Sequence, residues 1–504
     1  MSCLEGRVPQ PLCGLVKDPE SLAREVVRLL QGKRLVSMGT SGFGSVGYPK
    51  TFPPFLGDAL RETGGRLVVL TGASAYGMDE ALVERGVVAR RYPYQNNPRM
   101  RQLINDGIVA FQDYHLGEWP RINAPAILSR LTGGLDIAVV EASRVTEEGI
   151  IPTASVGAGP AWVDQARYVI VEVNLDASPA LEGMHDIYAP KPGEPVPIRR
   201  VNDRVGLPYI PVPKGKILGI VESRGIDHGG EPAEPGPVEK AIAENLLGFL
   251  EEEVERGLLP KSLYPLESGV GTVNDAVFKA LREAGFRGLT AWTEVVQDSL
   301  IQLYQEGAMD YMSCTSLMLT PGNLEYLYSH PGEFKGAVVL RPQDVTNNIE
   351  VIRRLRVIAI NTAVEVDIYG NVNSTHILGS RIINGIGGSG DFARGAYLSV
   401  FIAPSTRKNG RISSIVPMVT HVDTPDHDVD VLVTDQGVCD LRGLSPREKA
   451  ELIIEKCAHP DYRDLLRKYY EKALKYGGHV PVSLEDAFTL HVNLRDRGDM
   501  RLGA

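Results

Sequence analysis

The 504-residue chain sets 53 Lys and Arg against 63 Asp and Glu for a formal net charge of −10, with 43% hydrophobic and 23% charged residues. A chain of this length and composition buries more than one core and divides into domains. Its acidic balance and lack of any Lys/Arg cluster argue against nucleic-acid and anionic-membrane partners, so an anionic ligand must be held by a local site.

The first residues, MSCLEGRVPQPLCGLV, have no basic segment followed by an apolar one, and no run approaches bilayer length, so a cytoplasmic protein is expected. Cys3, Cys13, Cys314, Cys439 and Cys457 are odd in number and form no C-x-x-C pair; neither a disulfide framework nor a cysteine zinc site is expected, and a reducing compartment fits. Asp18-Pro19-Glu20 then reads as N-cap, first-turn proline and early acid of a helix with Leu22, Val26, Leu29 and Leu30 on one face and Gly32 closing it. A strand over 34–38 follows. Directly after it, Gly42 to Gly47 spells G-x-G-x-x-G, but Pro49, Pro53 and Pro54 keep a helix from starting on time, so a dinucleotide loop is disfavoured against another glycine loop or a tight turn.

Further β-branched runs at 66–70, 136–140 and 168–173, separated by helical lengths, have the rhythm of an α/β domain with a largely parallel sheet. The stretch 189–216 is rich in proline and glycine and reads as a crossing, which puts an N-terminal domain at 1–215 and a C-terminal domain at 216–504. The second part repeats the rhythm: a strand at 217–221, a loop around 228–237, a long helix to Arg256, strands near 337–340, 363–368, 415–419 and 429–434, and a capping box at Ser445-Pro446-Arg447-Glu448.

Three segments of this second part bear on chemistry. Leu266 to Gly271 is a glycine turn. The stretch 289–298 looks like a strand ending near Thr293 and turning into a helix, which sets Glu294 at the carboxyl end of a strand, where open α/β sheets place reacting groups. Asn384 to Gly390 packs four glycines into six residues and offers backbone N–H groups to an anion or a developing oxyanion. The His421/Asp423/His427/Asp428/Asp430 cluster and the Cys457/His459 pair have no recognised ligand spacing, so no metal site is expected. A serine elbow is absent too, since Asp391 stands where the last glycine of G-x-S-x-G is needed.

These segments together resemble the class I CoA-transferases, specifically the acetyl-CoA hydrolase/transferase family, along nearly the whole chain. The likeness is carried by GTSGFGSVGYPK from Gly39, LESGVGTVNDAV from Leu266, TEVVQD around Glu294, LRPQDVTNN from Leu340, EVDIYGNVNSTH from Glu365, NGIGGSGDFARGAYLS from Asn384, IVPMVTHVD from Ile415 and DLRGLSP from Asp440. The resemblance implies two similar open-sheet α/β domains with the active site in the cleft between them, usually in a homodimer. It implies transfer of coenzyme A of the succinyl-CoA:acetate type, with short-chain acyl-CoA and carboxylate substrates, CoA as substrate and covalent intermediate, and no metal or redox cofactor.

By the same resemblance Glu294 is the nucleophile, Gly388 supplies an oxyanion-binding amide and Asn347 lies beside the reacting carbonyl. CoA contacts are expected from Leu266, Glu267, Ser268, Gly269, Val270, Val364, Asn384, Gly388 and Lys408. Two places depart from the family. Asp435 stands where close members have glutamate, and Arg224 is the candidate for an arginine that members carry in a differently spelled loop; both are assigned to carboxylate binding. An acyl-CoA hydrolase using the same glutamate, and a non-catalytic CoA-binding protein, are the competing expectations.

Overall fold

The computed structural model describes residues 3–231, 233–269 and 271–501. These divide between two units: residues up to 231 with 290–301 and 310–355, and residues 233–289, 302–309 and 356–501.

In the first unit, strand Leu35–Thr40 is the hub. It pairs in parallel with Arg66–Leu70 on one side and with Ile137–Val145 on the other. The sheet continues through Val88–Tyr92 to Ala110–Phe111 at one edge and through Tyr168–Asn174 to Ile217–Ser223 in the other direction, all in parallel. Val68, Val69, Val139 and Ile170 are fully buried, as expected of strands covered on both faces. The expected helix forms as Pro19–Leu29, with the Asp18 carboxylate accepting from Ser21 N–H at 2.9 Å and Leu22, Ala23 and Val26 buried.

The glycine loop after the hub strand turns through left-handed conformations at Gly42, Gly44 and Gly47, and the next helix, Phe52–Thr63, begins only where its prolines occupy the first turn. This loop lies at the point where the strand order reverses, the usual place for a site in an open α/β sheet.

The contacts draw the division differently from the expected boundary near residue 215. Six residues of strand Ile217–Ser223 pair with Tyr168–Asn174, and the strand belongs to the first unit. Strands Met309–Cys314 and Val338–Leu340 also fold there. Buried Arg341 fixes the proline-rich stretch to them: it forms an ion pair with Asp186 and donates to Val201 O and, through Nε, to Ser313 Oγ at 3.0 Å. With both partners almost fully buried, removing one would strand the other charge at a cost of about 3–5 kcal/mol.

The second unit is likewise built on parallel strands. Leu266–Ser268, Ile358–Thr362, Leu398–Ile402 and Val431–Thr434 run in parallel, and Gly437–Asp440 adds an antiparallel edge. Helices Pro446–Lys456 and Pro460–Leu474 contribute Ile453, Ile454, Tyr462 and Leu466 to its core. The capping box is formed, the Ser445 side chain and the Glu448 carboxylate each meeting the other's backbone N–H.

The expectation of unpaired cysteines is corrected at the N-terminus. Two 3-10 turns, Cys3–Gly6 and Gln10–Leu15, bring the Cα atoms of Cys3 and Cys13 to 5.7 Å, and the two are disulfide-bonded. A ten-residue separation reveals no pairing until the turns fold the segment back. Cys314, Cys439 and Cys457 are free and buried. Among the described residues no helix is long and apolar enough to cross a membrane, and no group of three or more His, Cys, Asp or Glu side chains is placed to hold a metal ion.

Candidate active site

Glu294 follows strand Leu289–Trp292, as expected, and helix Asp298–Gln305 begins four residues later. Its backbone carbonyl accepts from Thr315 N–H at 2.9 Å and Ser316 N–H at 3.1 Å, so the residue is held from behind. Its neighbours Thr293 and Val295 are buried, while Glu294 keeps partial exposure. A carboxylate fixed at its backbone and open at its side chain can meet an electrophile with little reorganisation.

Asn347 lies against it. The Asn347 Nδ2 donates to Glu294 Oε1 at 2.5 Å, and its Oδ1 accepts from the Thr346 hydroxyl at 2.9 Å, which fixes which end of the amide faces the glutamate. Trp292 Nε1 donates to Thr346 O at 2.8 Å, tying this corner to the strand that carries Glu294. The backbone around Asn347 packs closely: a Cβ at Gly117 would come within 2.3 Å of its carbonyl oxygen. Nothing in the spacing of Glu294 and Asn347 announces the contact; the family resemblance sets Asn347 only beside the reacting carbonyl.

The second unit carries the expected CoA-side residues. Leu266 and Glu267 are buried in its first strand, and the Glu267 carboxylate accepts from Ile360 N–H at 3.2 Å. Gly269 follows; Val270 and the side chain of Ser268 lie outside the described residues. Asn384 opens the glycine loop with its Oδ1 accepting from Gly385 N–H at 2.8 Å, and Gly387 takes a left-handed turn with φ of 61°. Gly388 is the N-cap of helix Ser389–Gly395, so the amides of this first turn have no intrahelical acceptor and face the end of the helix.

Val364 is held on both sides, its N–H donating to Asn373 O at 2.9 Å and its carbonyl accepting from Arg407 Nη1 at 2.5 Å. Arg407 leads into the hairpin tip, where exposed Lys408 and Asn409 adopt φ of 49° and 56°. Holding a lysine in that region costs on the order of 1 kcal/mol or more and presents its ammonium at the turn.

The two residues assigned to carboxylate binding are both engaged. Asp435 Oδ1 accepts from Ser405 N–H at 2.5 Å, and its Oδ2 from Ser405 Oγ and Gln436 Nε2 at 2.9 and 2.7 Å. Arg224 is exposed among Glu222, Asp176 and Glu5, at 2.9, 3.4 and 3.7 Å. Glu294, Asn347 and Arg224 thus belong to the first unit and the other expected residues to the second. A charged cluster that no spacing along the chain announces, Lys50 with Glu141 and Asp227, lies beside the Gly42 to Gly47 loop.

Compared with known proteins, residues 21–222 match the acetyl-CoA hydrolase/transferase N-terminal domain and residues 325–470 the acetyl-CoA hydrolase/transferase C-terminal domain. The chain is 47% identical to the succinyl-CoA:acetate CoA-transferase of Clostridium kluyveri, with 92% of this chain and 86% of that protein covered. It is 42% identical to an acetyl-CoA hydrolase of Candida glabrata, with 98% and 96% covered. The crystal structure of 4-hydroxybutyrate CoA-transferase from Porphyromonas gingivalis is similar in fold, with a TM-score of 0.60 at 22% identity, covering 93% of this chain and 98% of that one.

Proposed function

The chain belongs to the acetyl-CoA hydrolase/transferase family, a family of enzymes, and from that premise we propose that it moves coenzyme A between short-chain carboxylates with Glu294 as the covalent nucleophile. The observation that supports this most is the Asn347 amide, oriented by Thr346 and donating to the Glu294 carboxylate.

A Glu294 oxygen attacks the thioester carbonyl, the C–S bond breaks, and CoA leaves as thiolate, giving an acyl-glutamyl anhydride. The thiolate then attacks the glutamyl carbonyl, the anhydride C–O bond breaks, and the first acid leaves as carboxylate. CoA is now held as a glutamyl thioester, and a second carboxylate runs the steps in reverse. Nucleophile and leaving group are anions throughout, so no proton transfer is required. Each tetrahedral intermediate carries an oxyanion, for which the Gly388 amide and Asn347 Nδ2 are the proposed donors.

Lys408 supplies a cation for the CoA phosphates in an otherwise acidic protein, and Leu266 to Gly269, Val364 and Asn384 flank the cofactor-like substrate. Asp435 and Arg224 are the proposed acid-side residues. Arg224 already faces three carboxylates and must exchange one of them for a substrate carboxylate to act.

The relatives carry the names of a transferase and of hydrolases; on the mechanism proposed for this chain, the two activities would differ in what captures the glutamyl thioester, a carboxylate or water. Acetyl-CoA or succinyl-CoA incubated with the protein and a second carboxylate is expected to yield the new thioester with parallel-line kinetics, and Glu294→Ala to abolish it. CoA release at the same rate with and without a carboxylate, and no new thioester, would replace transfer with hydrolysis.

A further inference from the structure

The Gly42 to Gly47 loop has no part in the mechanism above, yet it is wired to the nucleophile. The Phe43 carbonyl accepts from Ser316 Oγ at 3.2 Å, and the backbone N–H of the same serine donates to Glu294 O. Phe43 also shares an apolar cluster with Val295, beside Met318. The two-residue strand Val295–Val296 pairs with Ser316–Leu317, and Met318 N–H donates to Val296 O at 2.9 Å. Two segments therefore support Glu294: the glycine loop and residues 315–319.

One short stretch fastens both. Asp227 Oδ2 accepts from Gly47 N–H at 2.8 Å and from Lys50 Nζ at 2.7 Å. Two residues on, Gly229 N–H donates to Leu319 O at 2.7 Å, and a Cβ at Gly229 would come within 2.6 Å of Met318 O, so the stretch lies directly on that segment. Its start is anchored where Gly225 donates to Asp176 Oδ2 at 2.8 Å and accepts from Asn174 Nδ2 at 2.7 Å. We propose that residues 225–229 form a strap that positions Glu294, and that the charge of Asp227 holds the strap closed on the glycine loop.

Asp227 is faced by Lys50 and Glu141, with Tyr48 and Tyr328 close by, and the Glu172 carboxylate nearby accepts from the N–H groups of Lys50, Thr51 and Phe52. Burial first, and then the Glu141 charge, push the Asp227 carboxyl up to about 7, against the pull of Lys50. The ionised form that binds Lys50 therefore fades as pH falls below about 7.

The proposal rests on Glu294 as nucleophile, so its test reads both. Wild type, Asp227→Asn, Asp227→Ala and Gly229→Ala are compared in kcat, KM and thermal unfolding from pH 5.5 to 8.5 (roughly the span in which a carboxyl of this kind titrates). The expected result is a wild-type kcat that falls on the acid side of about pH 7 and an Asp227→Asn kcat that is lower and nearly flat there. Asp227→Ala and Gly229→Ala are expected to lose kcat by roughly 10²-fold, the scale of a misplaced reacting group, with KM for the acyl-CoA little changed. Asp227→Asn keeps the shape and an acceptor for Gly47, so it remains informative if the alanine variants unfold. Wild-type kcat and an unmoved acid limb in Asp227→Asn would overturn the strap while leaving the nucleophile standing. An active Glu294→Ala would instead overturn the reading on which the strap depends.

Discussion

Asn347 determines what the Glu294 carboxylate can do. Its Nδ2 donates to the Glu294 carboxylate, and because Thr346 holds the opposite end of the amide, on the proposed mechanism the same N–H would stay in place as charge moves onto the glutamyl carbonyl oxygen. Asn347→Ala removes one preorganised donor and is expected to lower kcat by roughly 10² to 10³-fold. Asn347→Asp keeps the shape but sets a second carboxylate against the first, and like charges at this distance raise the carboxyl pKa. A second anion then stands where a donor stood, so the aspartate variant is expected to lose kcat further than the alanine variant across the pH range. Identical profiles for the two would remove charge from the account of Asn347. The place of Glu294 at a strand end was legible in the sequence; its hydrogen bond to Asn347 was not, because the partners are 53 residues apart and share no pattern.

At the scale of elements, the strands and turns around the site act as spacers whose fit depends on missing side chains. Gly117 packs its bare Cα against the carbonyl of Asn347, and a Cβ there would meet that oxygen at 2.3 Å and its carbon at 3.0 Å. Backbone on both sides cannot yield as a flexible side chain would. Gly117→Ala is therefore expected to displace the short helix Gln343–Thr346 and its Asn347 cap, lowering kcat by roughly 10-fold to 10²-fold with the fold retained; unchanged kcat would show that the corner relaxes freely. Local signals made much of this level readable. The Asp18 cap, the Ser445 capping box and the prolines that delay the helix after Gly47 all sit where the sequence placed them. Strand Ile217–Ser223 is legible as a strand, but its grouping with the first unit is not, since its partner is chosen by a parallel pairing with residues about fifty positions earlier. Cys3 and Cys13 were missed for a similar reason, their approach depending on two turns that carry no cysteine motif. The Lys50, Glu141 and Asp227 cluster gathers three stretches of chain, and no spacing in the sequence connects them.

Over the whole molecule, an acidic α/β protein of two units puts a backbone-anchored glutamate in one and glycine-rich amides, with an exposed lysine at a hairpin tip, in the other. The family models match residues 21–222 and 325–470, the second match including Asn347, the Gly388 loop and Lys408. The central claim is that CoA passes through a covalent bond to Glu294. Intact mass of the protein after incubation with acetyl-CoA or succinyl-CoA without an acceptor acid, followed by peptide mapping, tests it most directly. The account predicts a CoA adduct on the peptide containing Glu294 that disappears on adding a carboxylate as the matching acyl-CoA appears. Turnover of acyl-CoA with no adduct on that peptide, or an adduct that persists in Glu294→Ala, would contradict it.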